Sequence, residues 1–155
     1  MARSIPTYPL PDFLEGIVKA ETYTKWLVRK AAAHIRRDRR RGNKDAVRQS
    51  YRSAIHEAIK TSKGLDAYTG KPLDWELIGT YKNEKSKEGK RLYRKKFENL
   101  PTVDHVDDGL GAPNFKICSL RTNDCKSHLT HQELIEFCQD IIKYHENLAR
   151  GPGQP

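Results

Sequence analysis

An aspartate followed directly by a histidine, Asp104-His105, precedes Asn114, and Asn123-Asp-Cys-Lys126 follows a little further on. Each residue type has a chemistry of its own. A carboxylate oxygen is a hard donor suited to Mg²⁺ or Mn²⁺, and a carboxamide oxygen adds a neutral donor without saturating the ion's charge. An imidazole, with an unperturbed pKa near 6.5, takes a proton from water at neutral pH. A hard cation beside a base of that kind suits attack of water on a phosphate ester, where the metal acts as a Lewis acid.

The elements that must position these residues can be read from their neighbours. Thr102-Val103-Asp104-His105-Val106 has strand character, and Asp107-Asp108-Gly109-Leu110-Gly111-Ala112-Pro113 must turn. Phe115-Lys116-Ile117-Cys118 returns as a second strand, and Ser119 caps a short helix carrying Arg121, Asn123 and Lys126. Adjacent residues of a regular strand point to opposite faces, so a shared role for Asp104 and His105 requires the strand to end or distort there. Thr130-His-Gln-Glu133 is a capping box that opens a helix to about Leu148, with Leu134, Ile135, Cys138, Ile141 and Ile142 as its buried stripe.

Upstream, Pro6, Pro9 and Pro11 mark residues 1–11 as an irregular arm, and Asp12 is placed to cap a short helix through Lys19. Helix formers run from Thr22 or Thr24 to about Arg41, with Trp26, Leu27, Ala31, His34 and Ile35 on one stripe, and stop at Gly42-Asn43. A second helix is predicted over Lys44–Ser62, with Val47, Tyr51, Ala54, Ile55, Ala58 and Ile59 on one face, ended by Lys63-Gly64. The two form an antiparallel hairpin. Tyr68-Thr69-Gly70-Lys71-Pro72 is a turn signal within a stretch of short strands or ordered loop. The lysine- and arginine-rich residues 80–96 read as a surface loop leading into a short helix, or as a second phosphate-contacting element. The last five residues are expected to be disordered.

Charge sets the partner class. The 155 residues carry a formal charge of +9, which favours a polyanion: nucleic acid first, an acidic membrane surface second. Arg36, Arg37, Arg40 and Arg41 crowd the end of the first long helix, where like charges one turn apart repel. A phosphate backbone relieves that repulsion. Arg121 and Lys126 are placed to bind flanking phosphates. No apolar run reaches the roughly 18 residues of a membrane helix, and the first residues have no apolar stretch to serve as a secretory signal. Cys118, Cys125 and Cys138 contain no Cys-x-x-Cys, so neither a disulfide framework nor a cysteine zinc knuckle is indicated, and a reducing cytoplasm is the economical setting.

Asp104-His105, Asn114 opening the second strand, and Asn123-x-x-Lys126 on the helix resemble, in that order, the HNH endonuclease signature on a ββα-metal finger. The resemblance covers about residues 100–138. It implies a general base at His105 and a Mg²⁺ or Mn²⁺ ion held by Asp104 and Asn123. His128 is a further candidate ligand, since the family admits His on this helix, and Asn114 braces the loop that orients His105. The loop between His105 and Asn114 is shorter than in many relatives. The cysteine pairs common in the family are missing, so no structural zinc is expected and packing must hold the finger.

Together these readings predict a single, mostly helical α+β domain over residues 1–155. Its parts are a basic helical hairpin (1–64), a basic connecting region (65–99), a ββα-metal core with a closing helix (100–148) and a disordered tail (149–155). The expected activity is metal-dependent hydrolysis of phosphodiester bonds, leaving 5′-phosphate and 3′-hydroxyl ends. DNA is the favoured substrate and RNA stays open. A homodimer or a partner subunit is compatible with the small size, and no membrane partner is expected. The alternative is a non-catalytic, basic nucleic-acid-binding module whose HNH-like finger is structural.

Overall fold

The computed structural model describes residues 8–151. Among them are five α-helices and one two-stranded antiparallel sheet, an α+β architecture: α1 (Ala20–Arg41), α2 (Arg48–Ser62), α3 (Asn83–Lys96), β1 (Pro101–His105), β2 (Phe115–Ser119), α4 (Leu120–Lys126) and α5 (His131–Arg150). No helix of the described residues is long and apolar enough to cross a membrane. The chain divides into two compact units, residues 1–123 and 124–155.

In the first unit the core forms between α1, α2 and the sheet. The predicted stripe of α1 is buried throughout, from Trp26 and Leu27 through Ala31 to His34 and Ile35. Tyr23, near the start of α1, meets His56 in the second half of α2, and Asp38, near the end of α1, meets Tyr51, so the two helices run antiparallel. Tyr51, Ile55 and Ile59 pack inward from α2, and β2 lies against that helix. Each such side chain contributes about 1.5–3 kcal/mol by leaving water. The edges of Trp26 and Trp75 meet at 6.0 Å between ring centroids, which places both tryptophans in the core.

Several boundaries differ from the sequence reading. The second helix starts at Arg48 rather than Lys44, because Gly42 adopts a left-handed conformation (φ 108°) and Asn43 turns its side chain onto the Asp45 amide. Val47 is therefore an extended, exposed flanking residue. Asp12 begins a single 3-10 turn, Asp12–Leu14, without a side-chain cap. Residues 83–96 are helical, with a break at Lys90 next to Gly89. The predicted turn at Tyr68–Pro72 is present, closed by a bridge between Leu65 and Pro72. Of the N-terminal arm, residues 1–7 lie outside the described residues, as do 152–155 of the tail. Tyr8 is tied to α2 through Ser53.

In the second unit, Thr130 and Glu133 form the predicted capping box at the start of α5. The stripe expected to be buried is not. No residue of α5 is buried, and Ile135, Ile141 and Ile142 are exposed. Helical periodicity gives the direction of an apolar face but not whether anything covers it. The core is complete without this helix, drawn from residues between Leu14 and Ile117.

Candidate active site

Strand β1 pairs with β2 in the register Pro101↔Ser119 through His105↔Phe115. Val106 donates to the Asn114 carbonyl, which closes the intervening loop at its base. Asn114 thus braces this loop through its backbone, while its side chain is exposed. Ser119 ends β2 and caps α4, its Oγ accepting from the Thr122 amide at 3.0 Å. Asp66 reaches across from the turn after α2 to hold the same junction. Its buried carboxylate accepts from the Ser119 amide, the Thr122 hydroxyl and the Tyr68 amide. Burial alone would raise its pKa, but the hydrogen bonds from Thr122, Ser119 and Tyr68 outweigh that and keep it below the usual carboxylate value.

Asp104 and His105 occupy the last two positions of a strand that stays regular, so their side chains leave by opposite faces. Both are buried. Asp104 Oδ2 accepts from the Tyr68 hydroxyl at 2.5 Å, and Lys116, its register partner, lies over the Tyr68 ring. His105 turns the other way. Its ring packs on Phe115 and meets the edge of His34 at 5.1 Å. His105 Nε2 lies 2.7 Å from Asp38 Oδ2, and Nδ1 lies 3.7 Å from Asp107.

Asp38 is the residue that sequence reasoning missed. Its carboxylate is fully buried, accepts from the Tyr51 hydroxyl at 2.6 Å and stands 3.8 Å from Arg41. The approach to His105 is short but not aligned as a hydrogen bond: Asp38 Oδ1 and both ring nitrogens of His105 are buried without hydrogen-bond partners among the described residues. The signal was in the sequence. Asp38 follows His34 and Ile35 at four and three residues, so it continues the buried stripe of α1, and it is the single acid among Arg36–Arg41.

The turn after His105 is fastened over this pair from α1 and the residue beyond its cap. Asn43 Nδ2 donates to the carbonyls of Gly109 (2.8 Å) and Gly111 (3.1 Å), and Arg41 reaches the Asp108 carbonyl. Gly109 has φ +77°, and a Cβ there would stand 2.6 Å from Asp38 Oδ1, so only glycine allows the turn to lie against the carboxylate.

Among the predicted phosphate contacts, Arg36, Arg37, Arg40 and Arg41 are exposed on α1. Arg37 also meets His34 Nδ1 at 2.5 Å. Burial, then the charge of Arg37, hold His34 down at about 3, so its imidazole is neutral at physiological pH. Arg121 is exposed and lies 3.7 Å from Glu98. Lys126 departs from expectation: it is buried rather than presented to a strand of nucleic acid.

Asn123, half-buried on α4, is the last residue of the first unit, and His128, exposed in the turn before α5, belongs to the second. Among the described residues no group of three or more His, Cys, Asp or Glu side chains gathers as a metal cage. A Mg²⁺ ion needs no such cage where one carboxylate, neutral oxygens, water and a substrate phosphate complete its shell. Comparison of the chain with family models, with curated proteins and with solved structures gave no match.

Proposed function

We propose that this chain is a metal-dependent endonuclease, with β1, the 106–114 loop, β2 and α4 acting as a ββα-metal finger of the HNH kind. The observation that carries this reading is His105, backed by the buried Asp38 carboxylate and adjacent in sequence to the Tyr68-held Asp104. A carboxylate beside one nitrogen fixes an imidazole's orientation and tautomer and stabilises the cation formed when the ring accepts a proton. With Nε2 against Asp38, Nδ1 is the nitrogen left to take a proton from water. Asp104, with the side-chain oxygen of Asn123, would hold a Mg²⁺ or Mn²⁺ ion, which supplies Lewis acidity to the phosphate. Arg36, Arg37, Arg40 and Arg41 form the exposed cationic surface for the backbone, contacts that position a duplex without reading its bases. DNA is the favoured substrate.

Two observations favour a second reading, a basic nucleic-acid-binding module with a structural finger. Asp104 and His105 leave β1 by opposite faces and both ring nitrogens of His105 are shielded, so a shared catalytic role requires the end of β1 to distort and the 107–111 turn to lift. Cleavage of supercoiled plasmid with Mg²⁺, Mn²⁺ or EDTA separates the two. The nuclease reading expects nicking that EDTA abolishes and that Asp104→Asn and His105→Ala each reduce strongly while binding persists. Binding with no cleavage in any metal would establish the structural module, and cleavage surviving both substitutions would place the active site elsewhere.

A further inference from the structure

Along α1, Trp26, Lys30, His34, Arg37 and Arg41 succeed one another at intervals of three or four residues and so share one stripe. Its upper end carries the contacts around His34 and Asp38 described above. Its lower end borders a cleft of about 470 Å³ between α1, residues 79–84 and the beginning of β1. Arg29, Lys30, Lys82 and Asn83 line this cleft against a single acid, Glu84. Thr102 lines it too, on the same strand face as Asp104 and two residues before it.

Lys30 is the unusual member. Its ammonium sits 5.5 Å from the Trp26 ring centroid, with no carboxylate within ion-pair distance among the described residues. Burial, reinforced by neighbouring Arg29, pushes the amine down to about 8. A cation withdrawn from water without an anionic partner destabilises the free protein, and an arriving anion removes that penalty.

We infer that this cleft holds a backbone phosphate of the bound strand, flanking the scissile one, with Lys30 as its central ligand and Arg29 and Lys82 on either side. The inference rests on the nucleic-acid reading above. Lys30 and Arg37 are seven residues apart, about 10 Å at 1.5 Å per helical residue. At 3.4 Å of duplex axis per nucleotide, a strand lying along α1 would take about three steps between these two cations. The stripe thus gives the backbone a direction: over Arg41 and Arg37 at the catalytic end, and down into the cleft at Lys30.

The test is binding of a short DNA duplex in EDTA, where no cleavage occurs, measured as a function of salt. Lys30→Met is expected to weaken binding about 5–10-fold and to lower the slope of log K against log salt by about 0.9, the share of one phosphate. It should also raise Tm, because the half-buried cation is gone, and Lys30→Arg should restore binding. The exposed Lys82→Ala should lower the slope similarly, whatever the stability of the Lys30 variants. Unchanged affinity and slope in both Lys30→Met and Lys82→Ala would overturn the site.

Acylation of Lys30, read by mass spectrometry, distinguishes the anion's source. Protection by the duplex but not by equimolar inorganic phosphate is expected, and equal protection by phosphate alone would overturn the assignment to a strand. If the slope falls as stated but the wild-type protein never cuts plasmid, the phosphate site stands and the nuclease reading fails. If plasmid is cut while both variants bind like wild type, the reverse holds.

Discussion

Asp38→Asn is the substitution that most directly probes how His105 is held. The asparagine is nearly isosteric and keeps an oxygen for Tyr51, so the change removes charge from a fully buried position with little change of shape. At metal sites, losing the group that orients an imidazole typically costs about 10- to 100-fold, against about 10²- to 10⁴-fold for loss of a general base itself. Single-turnover nicking of plasmid by Asp38→Asn should therefore fall about 10- to 100-fold, less than for His105→Ala. Stability should follow the same order. His105→Ala leaves the buried Asp38 charge with Tyr51 and a more distant Arg41, and stripping a buried charge of its partner costs about 3–5 kcal/mol. That is a large part of the roughly 5–15 kcal/mol holding a domain together. In the double variant Asp38→Asn/His105→Ala the stranded charge is absent, so urea denaturation should show a recovery of about 1–3 kcal/mol relative to the sum of the single changes. Cleavage at the wild-type rate by Asp38→Asn, together with a coupling within about 0.5 kcal/mol of zero, would refute the pairing.

Acidification should destabilise the fold before its carboxylates titrate. His34 is held at about 3 by burial and by Arg37, against 6.5 when unfolded, so the unfolded chain binds more protons between those values. Stability then falls as pH drops from about 6.5 towards 3, by up to about 1.4 kcal/mol per unit. Urea midpoints at pH 7, 6 and 5 should show the decline, and His34→Gln should flatten it. An unaltered slope in that variant would shift the cause to other groups such as His56, whose pKa burial also lowers. Gly109→Ala combines a left-handed backbone with a Cβ 2.6 Å from Asp38 Oδ1, and should lower stability by more than about 1 kcal/mol. Wild-type thermal stability there would mean the turn does not rest on Asp38. Asn43→Ala strands the Gly109 and Gly111 carbonyls, and should cost about 1–3 kcal/mol while speeding amide exchange across 106–113. Asp66→Ala removes two hydrogen bonds that tie the turn after α2 to the start of α4 and two within the turn itself, and should loosen α4 in exchange measurements while leaving α1 and α2 protected.

The parts of this molecule that could be read from sequence are those fixed by short-range periodicity and capping. The stripe from Trp26 to Ile35 faced the core, Ser119 capped α4, and Thr130 with Glu133 opened α5, because each depends on residues within one or two helical turns. The chemistry around Asp104 and His105 depends on separations that no local pattern encodes. Tyr68 reaches Asp104 from 36 residues away, and Asn43 reaches Gly109 from 66. Asp38 lies between these cases. Its place on the α1 stripe is a local fact, but among five arginines it reads as a surface residue until the 2.7 Å approach of His105 shows what its carboxylate meets. That arrangement bears on function as well as on folding. A long helix whose exposed side is cationic at Arg36, Arg37 and Arg40, and whose buried side offers Asp38 to His105, joins the surface suited to a phosphate backbone to the group suited to activating water. Binding that shifts α1, or the turn fastened to it through Asn43, would therefore act on His105 directly. If the chain is the endonuclease proposed above, substitutions at Asp38 and Asn43 should change the rate of cleavage without any contact between those residues and the substrate.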